Sequence, residues 1–452
     1  MKKYIVFLVF CAVIIINAPA AVKSARMPDV PLIESETAVL IDGDTGQILY
    51  DKNMNRRMYP ASITKVMTAL LALENGNLAD NIVMSYDAVF SVGRNTSHIA
   101  LDEGEVITLE QALYGVAVES ANDASNGIAE LIGGSMDEFA QMMNERAARA
   151  GASDTHFTNA HGLPDENHYT TAHDMARIMA EAVKIPDFIK FFSAEYYEMP
   201  PTNKQDETRY FWRTGSLITD TYKYDGVIAE KTGWTPDAGY TFAVAAKKDG
   251  RTLIVVVMNA SSGPSRREDT ATLLDYGFNE LKTVSIKAAG ISLSSYSAGG
   301  INAEVRAPGD FTCLIDRSLS EEDIEIEYIL YKDANNVLHV KAVFTLKAGI
   351  HGNIYRQLGE MELLCIPYDG NPADAALISE DTPDNENESD KNQNPVIAVI
   401  LTVTCVLAAA YVFLYIRKII IVRRRRRRRR RRTNYQYGNN GNNGNNRNFP
   451  RR

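Results

Sequence analysis

Three short groups of polar residues could together carry out nucleophilic chemistry. The first is Ser62-Ile-Thr-Lys65, in which the three-residue spacing places both end residues on one face of a predicted helix that starts at Ser62. The dipole and free N–H groups at a helix start favour developing negative charge. A serine needs a base to remove its proton, and Lys65 can be that base only with a lowered pKa. Many surface helices contain this pattern, so it is weak when it stands alone.

The other two groups supply hydroxyls, an amide and a second cation. Ser120-Ala-Asn122 lies just beyond a predicted helix, and both polar side chains could face one cleft, although such residues are also common at helix ends. Lys231-Thr232-Gly233 immediately precedes a patterned strand; its cation and hydroxyl could bind a carboxylate, and its glycine permits close backbone approach. Each group is ordinary by itself, whereas the three in this order are specific.

Strand patterns occur at both ends of the segment that holds these groups. A strand–turn–strand pattern covers residues 33–50, and from Gly239 onward the period becomes two, with a turn at Asp249-Gly250. Helical patterns lie between them, one of them beginning with a capping box at Thr108-Leu-Glu-Gln111 and others covering residues 123–132, 135–149 and 171–184. A final helical pattern covers residues 267–281, after the second group of strands. This order predicts an α+β fold in which both ends of the domain close one antiparallel sheet.

The chain beyond this domain changes in character twice. Residues 284–370 combine short strand patterns with turns and predict a small all-β domain. Residues 371–394 are acidic, rich in Asn and poor in bulky apolar groups, which predicts a flexible linker.

Two apolar segments predict export and membrane attachment. Residues 1–25 begin with basic residues, continue with an apolar run and end with small residues, which is the order of a signal peptide. An uncleaved membrane anchor is the alternative interpretation. Residues 395–416 are uncharged and long enough for one transmembrane helix. Residues 417–452 contain ten consecutive arginines, which predicts a cytoplasmic tail and an extracellular catalytic domain. Contact of this tail with anionic lipid is expected.

The distribution of charge argues against nucleic-acid binding. The chain has 48 Lys and Arg against 57 Asp and Glu, and the two apolar ends with their basic flanks contain no acidic residue, so the exported part is strongly acidic. No Cys or His cluster has zinc-ligand spacing, and neither a metal nor a cofactor is expected. Cys313 and Cys365 could pair in an oxidising compartment, a question that the sequence leaves open.

The three motifs resemble those of low-molecular-mass penicillin-binding proteins of the D-alanyl-D-alanine carboxypeptidase family. Class A β-lactamases share the triplet. The resemblance covers roughly residues 33–370; its supporting blocks include Pro60 to Ala69, His161-Gly-Leu163 and Leu273 to Phe278. It implies a transpeptidase fold of the β-lactamase and penicillin-binding-protein type over residues 33–281, followed by an accessory β domain.

The resemblance implies catalytic roles for three residues. Ser62 would be the acylated nucleophile and Lys65 its general base, while Ser120 would relay a proton to the leaving D-alanine. The backbone N–H groups of Ser62 and Trp234 would form the oxyanion hole. A role for His161, which borders the cleft in the family, is left open.

The resemblance also implies a set of substrate-binding residues. Asn122 would bind the substrate amide, Lys231 would keep the site positive, and Thr232 would hold the terminal carboxylate with an arginine. Arg266 matches the family arginine best, with Arg267 as the rival. The full expected binding set is Asn122, Lys231, Thr232, Gly233, Trp234 and Arg266.

The expected function is removal of the terminal D-alanine from peptidoglycan stem pentapeptides, with slow hydrolysis of β-lactams, in cell wall remodelling outside the cell. A β-lactamase is one alternative, although Glu166 lies in a stretch that matches the carboxypeptidases rather than the lactamases. A non-catalytic protein that senses peptidoglycan is another. One departure from the family is the spanning segment and arginine tail, where the family usually has an amphipathic surface helix.

Overall fold

The computed structural model describes residues 30–219, 222–298, 301–333, 337–347 and 357–367. The strands in the first part of the chain are β1 (Thr37–Asp42), β2 (Ile48–Lys52), β3 (Asn81–Val83), β4 (Val106–Thr108), β5 (Tyr196–Met199), β6 (Arg209–Trp212), β7 (Val227–Thr235), β8 (Gly239–Lys248) and β9 (Arg251–Ala260). The strands that follow are β10 (Leu281–Ile286), β11 (Leu293–Ala298), β12 (Ile301–Arg306), β13 (Phe311–Asp316), β14 (Ile324–Lys332), β15 (Leu338–Leu346) and β16 (Gln357–Pro367).

Helices fill the interval between β2 and β7 and follow β9. They are α1 (Lys65–Asn75), α2 (Tyr86–Phe90), α3 (Leu109–Tyr114), α4 (Asn122–Gly133), α5 (Met136–Arg149), α6 (Ala172–Ala182), α7 (Pro186–Phe192), α8 (Gly263–Asp275) and α9 (Ala288–Ile291). A 3₁₀ turn, Ala61–Thr64, precedes α1, and π-helical turns, Gly115–Glu119 and Tyr276–Glu280, extend α3 and α8.

Both ends of the catalytic region contribute to one antiparallel sheet with the strand order β2-β1-β9-β8-β7. Strand β1 pairs with β9 from Thr37 opposite Met258 to Asp42 opposite Leu253. Strands β8 and β9 are joined at Asp249-Gly250, both of which have positive φ, as the tight turns of β-hairpins require. The predicted α+β arrangement, with its sheet closed by both ends, is confirmed.

Both faces of this sheet are buried because alternate residues enter two different cores. On one face, Val39 and Val256 join a large cluster with the helices; on the other, Leu40 and Val255 join a smaller cluster that includes Leu273 and other residues of α8. Side chains alternate between the faces of a strand, so a run of apolar residues in β1 and β9 supplies both cores. The sheet is thus the middle of three layers.

Several predicted boundaries shift in the structure. The helix predicted from Ser62 begins as the 3₁₀ turn, and α1 proper starts at Lys65. The last helix starts at Gly263 instead of residue 267, because the Ser262 hydroxyl accepts the N–H of Ser265 and caps it. Lys231-Thr232-Gly233 lies inside β7, not before a strand. The capping box of α3 is present as predicted.

The described residues after 281 form strands around a core of their own. Strand β10 pairs with β13, and the other strands form a sheet in the order β11-β12-β16-β15-β14. Gln47 connects this region to the catalytic sheet: its side chain donates to the Leu314 carbonyl at 2.7 Å and accepts the Leu314 N–H at 2.7 Å. Cys313 and Cys365 are both free thiols. A division at residues 281–284 stays a prediction.

Four predicted segments fall outside the described residues: the signal peptide (1–25), the linker (371–394), the transmembrane helix (395–416) and the basic tail (417–452). Within the described part of the chain, no helix combines the length and the apolar character needed to cross a membrane.

Candidate active site

Ser62 lies on a turn whose backbone is fixed from both sides. The preceding residue, Ala61, has a φ of +49°, a left-handed conformation that is uncommon for residues with a side chain. The Thr241 hydroxyl donates to the Pro60 carbonyl at 2.9 Å. Gly162, itself at φ +87°, packs so closely that a methyl group there would overlap the Ala61 carbonyl oxygen. Ser62 is thereby presented, half-buried, at the start of the helix.

Lys65 extends beneath this turn towards the serine hydroxyl. Its Nζ donates to Ser62 Oγ at 3.1 Å, to Asn122 Oδ1 at 2.6 Å and to the His161 carbonyl oxygen at 2.7 Å. The side chain is fully buried. A protonated Lys65 can donate one proton to each of these three acceptors. A neutral Lys65 has only two protons to donate, so its lone pair is free to accept the proton of Ser62.

Burial lowers the pKa of Lys65 from 10.5 to about 7, although the Asp123 carboxylate opposes the shift. Asp123 itself is buried at the start of α4 and accepts the backbone N–H groups of Ile99 and Leu101. A base with a pKa near neutrality combines a large neutral fraction with useful proton affinity.

Ser120 and Lys231 form a second hydroxyl–amine pair on the opposite side of the site. Ser120 ends the π-helical turn with φ +60°, so its side chain leaves the helical direction. Lys231 Nζ donates to Ser120 Oγ at 3.0 Å and to the Thr232 carbonyl oxygen at 2.9 Å. Burial and the nearby Lys65 cation lower the pKa of Lys231, whereas the Glu230 carboxylate favours its protonated form.

A cleft of about 460 Å³ lies between these two pairs. Its walls include Ser62, Ser120, Lys231, Thr232, Gly233, Trp234 and Arg266. Strand β7 forms one wall at the edge of the described sheet, and Gly233 lies so near the turn that a methyl group on it would come within 2.8 Å of the Ser62 nitrogen. The cleft thus joins a nucleophile, backbone N–H groups and cations.

Arg266 supplies a guanidinium at the end of the cleft. It donates to the carbonyl oxygens of Gly233 at 3.4 Å and Gly215 at 3.2 Å, and its buried Nε has no hydrogen-bond partner. Burial and the neighbouring Arg267 lower its pKa to about 10, so it remains charged at neutral pH. Arg266 is among the residues that line the cleft, whereas its rival Arg267 is not.

Asn122 occupies a different place from the one expected of a residue that only binds substrate. It is buried, its Oδ1 accepts from Lys65, and it is not among the residues that line the cleft wall. The side-chain carbonyl of Asn122 therefore orients the Lys65 amine, and the NH₂ group of Asn122 is left to bind a substrate. Its role as an amide-binding residue stays a prediction.

His161 and His168 support the turn instead of titrating near neutrality. Burial lowers the pKa of His161 to about 3 and that of His168 to about 4, so both are neutral. His168 Nδ1 accepts the N–H of Thr158, which leaves its Nε2 as the donor to Thr64 Oγ1 at 2.9 Å. His161 contributes its carbonyl oxygen to Lys65.

Sequence reasoning missed several residues that hold the site. His168, Thr241 and Asp123 belong to no motif, and their spacing gives no signal. The Glu166 of the lactamase alternative is exposed and is absent from the described cleft wall. Among the described residues, no group of three His, Cys, Asp or Glu side chains could hold a metal ion.

Comparison with known proteins places this geometry in a family. The curated relative "D-alanyl-D-alanine carboxypeptidase DacF" of Bacillus subtilis is 40% identical over 258 residues, which are 55% of this chain and 64% of that relative. Penicillin binding protein 5 from Haemophilus influenzae superposes with a TM-score of 0.60 at 27% identity, over 75% of this chain and 98% of that one. The carboxypeptidase DacD from Francisella tularensis, at 23% identity and a TM-score of 0.61 over 77% and 97% of the two chains, shares the fold.

The family match itself covers residues 22–262, a segment that contains Ser62, Ser120 and Lys231. The two solved structures extend the similarity of fold beyond that segment, since they cover three quarters of the chain or more. The chain belongs to the D-alanyl-D-alanine carboxypeptidase family, peptidase S11.

Proposed function

We propose that this protein is a serine carboxypeptidase that removes the terminal D-alanine from peptidoglycan stem pentapeptides through an acyl-enzyme on Ser62. The observation that carries the proposal is the buried Lys65 amine, 3.1 Å from the Ser62 hydroxyl and with a pKa lowered to about 7. A lysine in this state can take the serine proton at neutral pH.

In the first half of the reaction, Ser62 Oγ attacks the carbonyl carbon between the two D-alanines while its proton passes to Lys65. The negative charge develops on the carbonyl oxygen, and backbone N–H groups of Ser62 and Trp234 stabilise it as an oxyanion hole. The close approach of Gly233 to the Ser62 nitrogen supports this placement.

Collapse of this intermediate breaks the C–N bond and forms the ester. The leaving amine needs a proton, and the proton that Lys65 took from Ser62 passes to it through the Ser120 hydroxyl, which the Lys231 ammonium holds by a hydrogen bond of 3.0 Å, so that Lys65 becomes neutral again. D-Alanine departs, and water then attacks the ester with Lys65 again accepting a proton. The second half of the reaction regenerates Ser62 and releases the shortened peptide.

Recognition of the substrate terminus follows from the positive end of the cleft. The carboxylate of the terminal D-alanine meets the Thr232 hydroxyl, the Arg266 guanidinium and the Lys231 ammonium. The position of Arg266 in the cleft wall and its positive charge at neutral pH support this assignment. β-Lactams, which carry a carboxylate near a reactive amide, acylate the same serine.

The proposed location is the outer face of the cytoplasmic membrane, with a single transmembrane helix over residues 395–416. The support is the sequence of both ends: an apolar segment that follows two lysines, and ten arginines that follow the second apolar segment. Protease added to intact cells should digest the catalytic domain; complete protection would contradict this topology.

Penicillin labelling tests the mechanism directly. The full-length chain in detergent should form a covalent adduct with fluorescent penicillin, and Ser62→Ala should form none at equal folded concentration. Ser261→Ala, which alters an exposed serine, is the matched control and should label like the wild type. Mass spectrometry should show release of one D-alanine from a synthetic pentapeptide.

Two results would count against this function. Equal labelling of Ser62→Ala and wild type would remove Ser62 as the nucleophile. Rapid turnover of nitrocefin without release of D-alanine would favour the β-lactamase alternative.

A further inference from the structure

A row of exposed aromatic rings lies on the β5–β6 hairpin next to the cleft. Tyr196 pairs with Trp212 and Glu198 with Tyr210 across the two strands, so these four side chains share one face. Tyr210 is 59% exposed and Trp212 is 60% exposed. The centroid of the Tyr196 ring lies 4.1 Å from that of the Trp212 ring and 6.4 Å from that of the Tyr210 ring.

The opposite face of the same hairpin accounts for its stability without help from this row. Phe211 and Met199 are buried in the main core, and the Tyr197 ring stacks on Tyr114 at 3.9 Å. Arg209 forms a buried ion pair with Glu105 at 2.7 Å. The exposed rings are therefore not needed to hold the hairpin in place, and adjacent exposed aromatic groups usually mark an interaction surface.

The row is continuous with the catalytic cleft. The backbone N–H of Trp212 donates to the Glu119 carboxylate at 2.9 Å, and Glu119 lines the cleft immediately before Ser120. Arg213, the residue after Trp212, lines the same cleft. A molecule that occupies the cleft and extends past Glu119 would meet Trp212 first.

The charges around the row favour a neutral, hydroxyl-rich ligand. Glu198 lies within the row, where it accepts the Tyr196 hydroxyl at 2.6 Å, and Glu119 lies beside the row, where it accepts the backbone N–H of Trp212. The one basic side chain of the two strands, Arg209, points to the other face and is paired. Two carboxylates disfavour an anionic lipid surface, while they can accept hydrogen bonds from hydroxyl and amide groups.

We propose that this aromatic row binds the sugar chain that carries the stem peptide, so that the protein recognises glycan-borne peptides better than free ones. The faces of aromatic rings carry negative charge density, and the C–H bonds on the flat face of a sugar pack against them. The N-acetyl and hydroxyl groups of the sugars meet Glu198 and Glu119. The proposal rests on the carboxypeptidase function and names the form of its substrate.

The test compares two substrates that end in the same D-Ala-D-Ala. Release of D-alanine by the full-length chain in detergent is measured on a free pentapeptide and on soluble, uncross-linked glycan chains that carry this pentapeptide. Tyr210→Ala combined with Trp212→Ala should raise KM for the glycan-borne peptide about tenfold, the loss of two stacked rings. The kcat and the KM for the free peptide should stay within about twofold.

A matched control and a conservative variant separate binding from damage to the fold. Tyr86→Ala removes an aromatic ring of equal exposure, 60%, on α2, outside the residues that line the cleft, and should change neither KM. Trp212→Phe keeps a ring and should restore most of the preference for glycan. Calorimetry with an N-acetylglucosamine tetramer gives a readout without turnover, and the double variant should lose the heat of binding.

Two outcomes would overturn the proposal. The double variant could change KM for both substrates equally, or for neither, in which case the row does not contact glycan. Binding of the double variant to anionic vesicles more weakly than wild type, with unchanged KM values, would assign the row to the membrane. Failure of the wild type to release D-alanine from either substrate would instead refute the carboxypeptidase function.

Discussion

The buried amine of Lys65 predicts how the rate of Ser62 acylation depends on pH. Burial lowers its pKa from 10.5 to about 7, against the opposing Asp123 charge. At pH 7 about half of the molecules then carry a neutral amine, whereas an amine with a pKa of 10.5 would be neutral in roughly one molecule in 3000. Burial therefore raises the reactive population on the order of a thousandfold.

Only the neutral amine can accept the serine proton, so the acylation rate should rise with pH. The rate at pH 6 should be about a tenth of the plateau, and the rate at pH 8 about nine tenths of it. His161 and His168, with pKa values lowered to about 3 and about 4, are already neutral in this range. Loss of the Lys231 proton would act in the opposite sense and lower the rate at high pH.

The assay is the second-order rate of labelling by fluorescent penicillin between pH 5.5 and 9, with the full-length chain in detergent and excess reagent. Lys184→Met is the control: Lys184 is exposed and pairs with Glu181, so its loss should leave the curve unchanged. Thermal unfolding at each pH verifies that the folded fraction is constant.

A second variant identifies the titrating group. Asp123→Asn removes the negative charge that raises the pKa of Lys65, so the midpoint should move to lower pH and the rate at pH 6 should increase relative to the plateau. A rate that does not change from pH 5.5 to 9, or a midpoint near 10, would refute the neutral lysine. A midpoint that Asp123→Asn leaves in place would assign the titration to another group.

Two further substitutions test how the site is held. Gly162→Ala would push a methyl group into the Ala61 carbonyl at a φ of +87°, and calorimetry should show a loss of roughly 3 kcal/mol in unfolding free energy, with slower penicillin labelling. Arg209→Met leaves the buried Glu105 carboxylate without its partner, and denaturant unfolding should show a loss of about 3–5 kcal/mol.

Each of these substitutions has a control within the chain. Gly46 also has a positive φ but open space around it, so Gly46→Ala should cost only about 1 kcal/mol and keep full labelling. Lys190→Met breaks an exposed pair with Glu110 and should cost about 1 kcal/mol or less. If variant and control lose equal unfolding free energy, the close approach at Gly162, or the buried ion pair of Arg209, does not contribute more to stability than its control position.

The fold was largely predictable in segments where the spacing of apolar residues determines the secondary structure. Strands β1, β8 and β9 were predicted from their runs of apolar residues, which fill two cores. The start of α3 was predicted from its capping box. The position of Lys231-Thr232-Gly233 was not predictable, because β7 carries Glu230 and Lys231 at buried positions and so has no regular apolar alternation. The β5–β6 hairpin was missed because its aromatic residues face outward as well as inward.

The candidate site shows a similar division. Ser62, Lys65, Ser120 and Lys231 follow from three motifs, since helix and strand geometry fix spacing within each motif. The contacts between motifs depend on long-range packing, which the order of residues does not express. Thus the support of Thr64 by His168 became visible only in the folded chain.

The pairing of β1 with β9 also determines when the Ser62–Lys65 site can form during synthesis of the chain. Thr37 meets Met258, so the sheet closes only after nearly the whole catalytic region has emerged. Such high contact order slows folding and leaves a nascent chain exposed to proteases and to aggregation. A chain truncated before β9 would contain the nucleophile and its lysine without the strand that completes the sheet around their pocket. The site therefore becomes reactive only after the β8–β9 hairpin has formed.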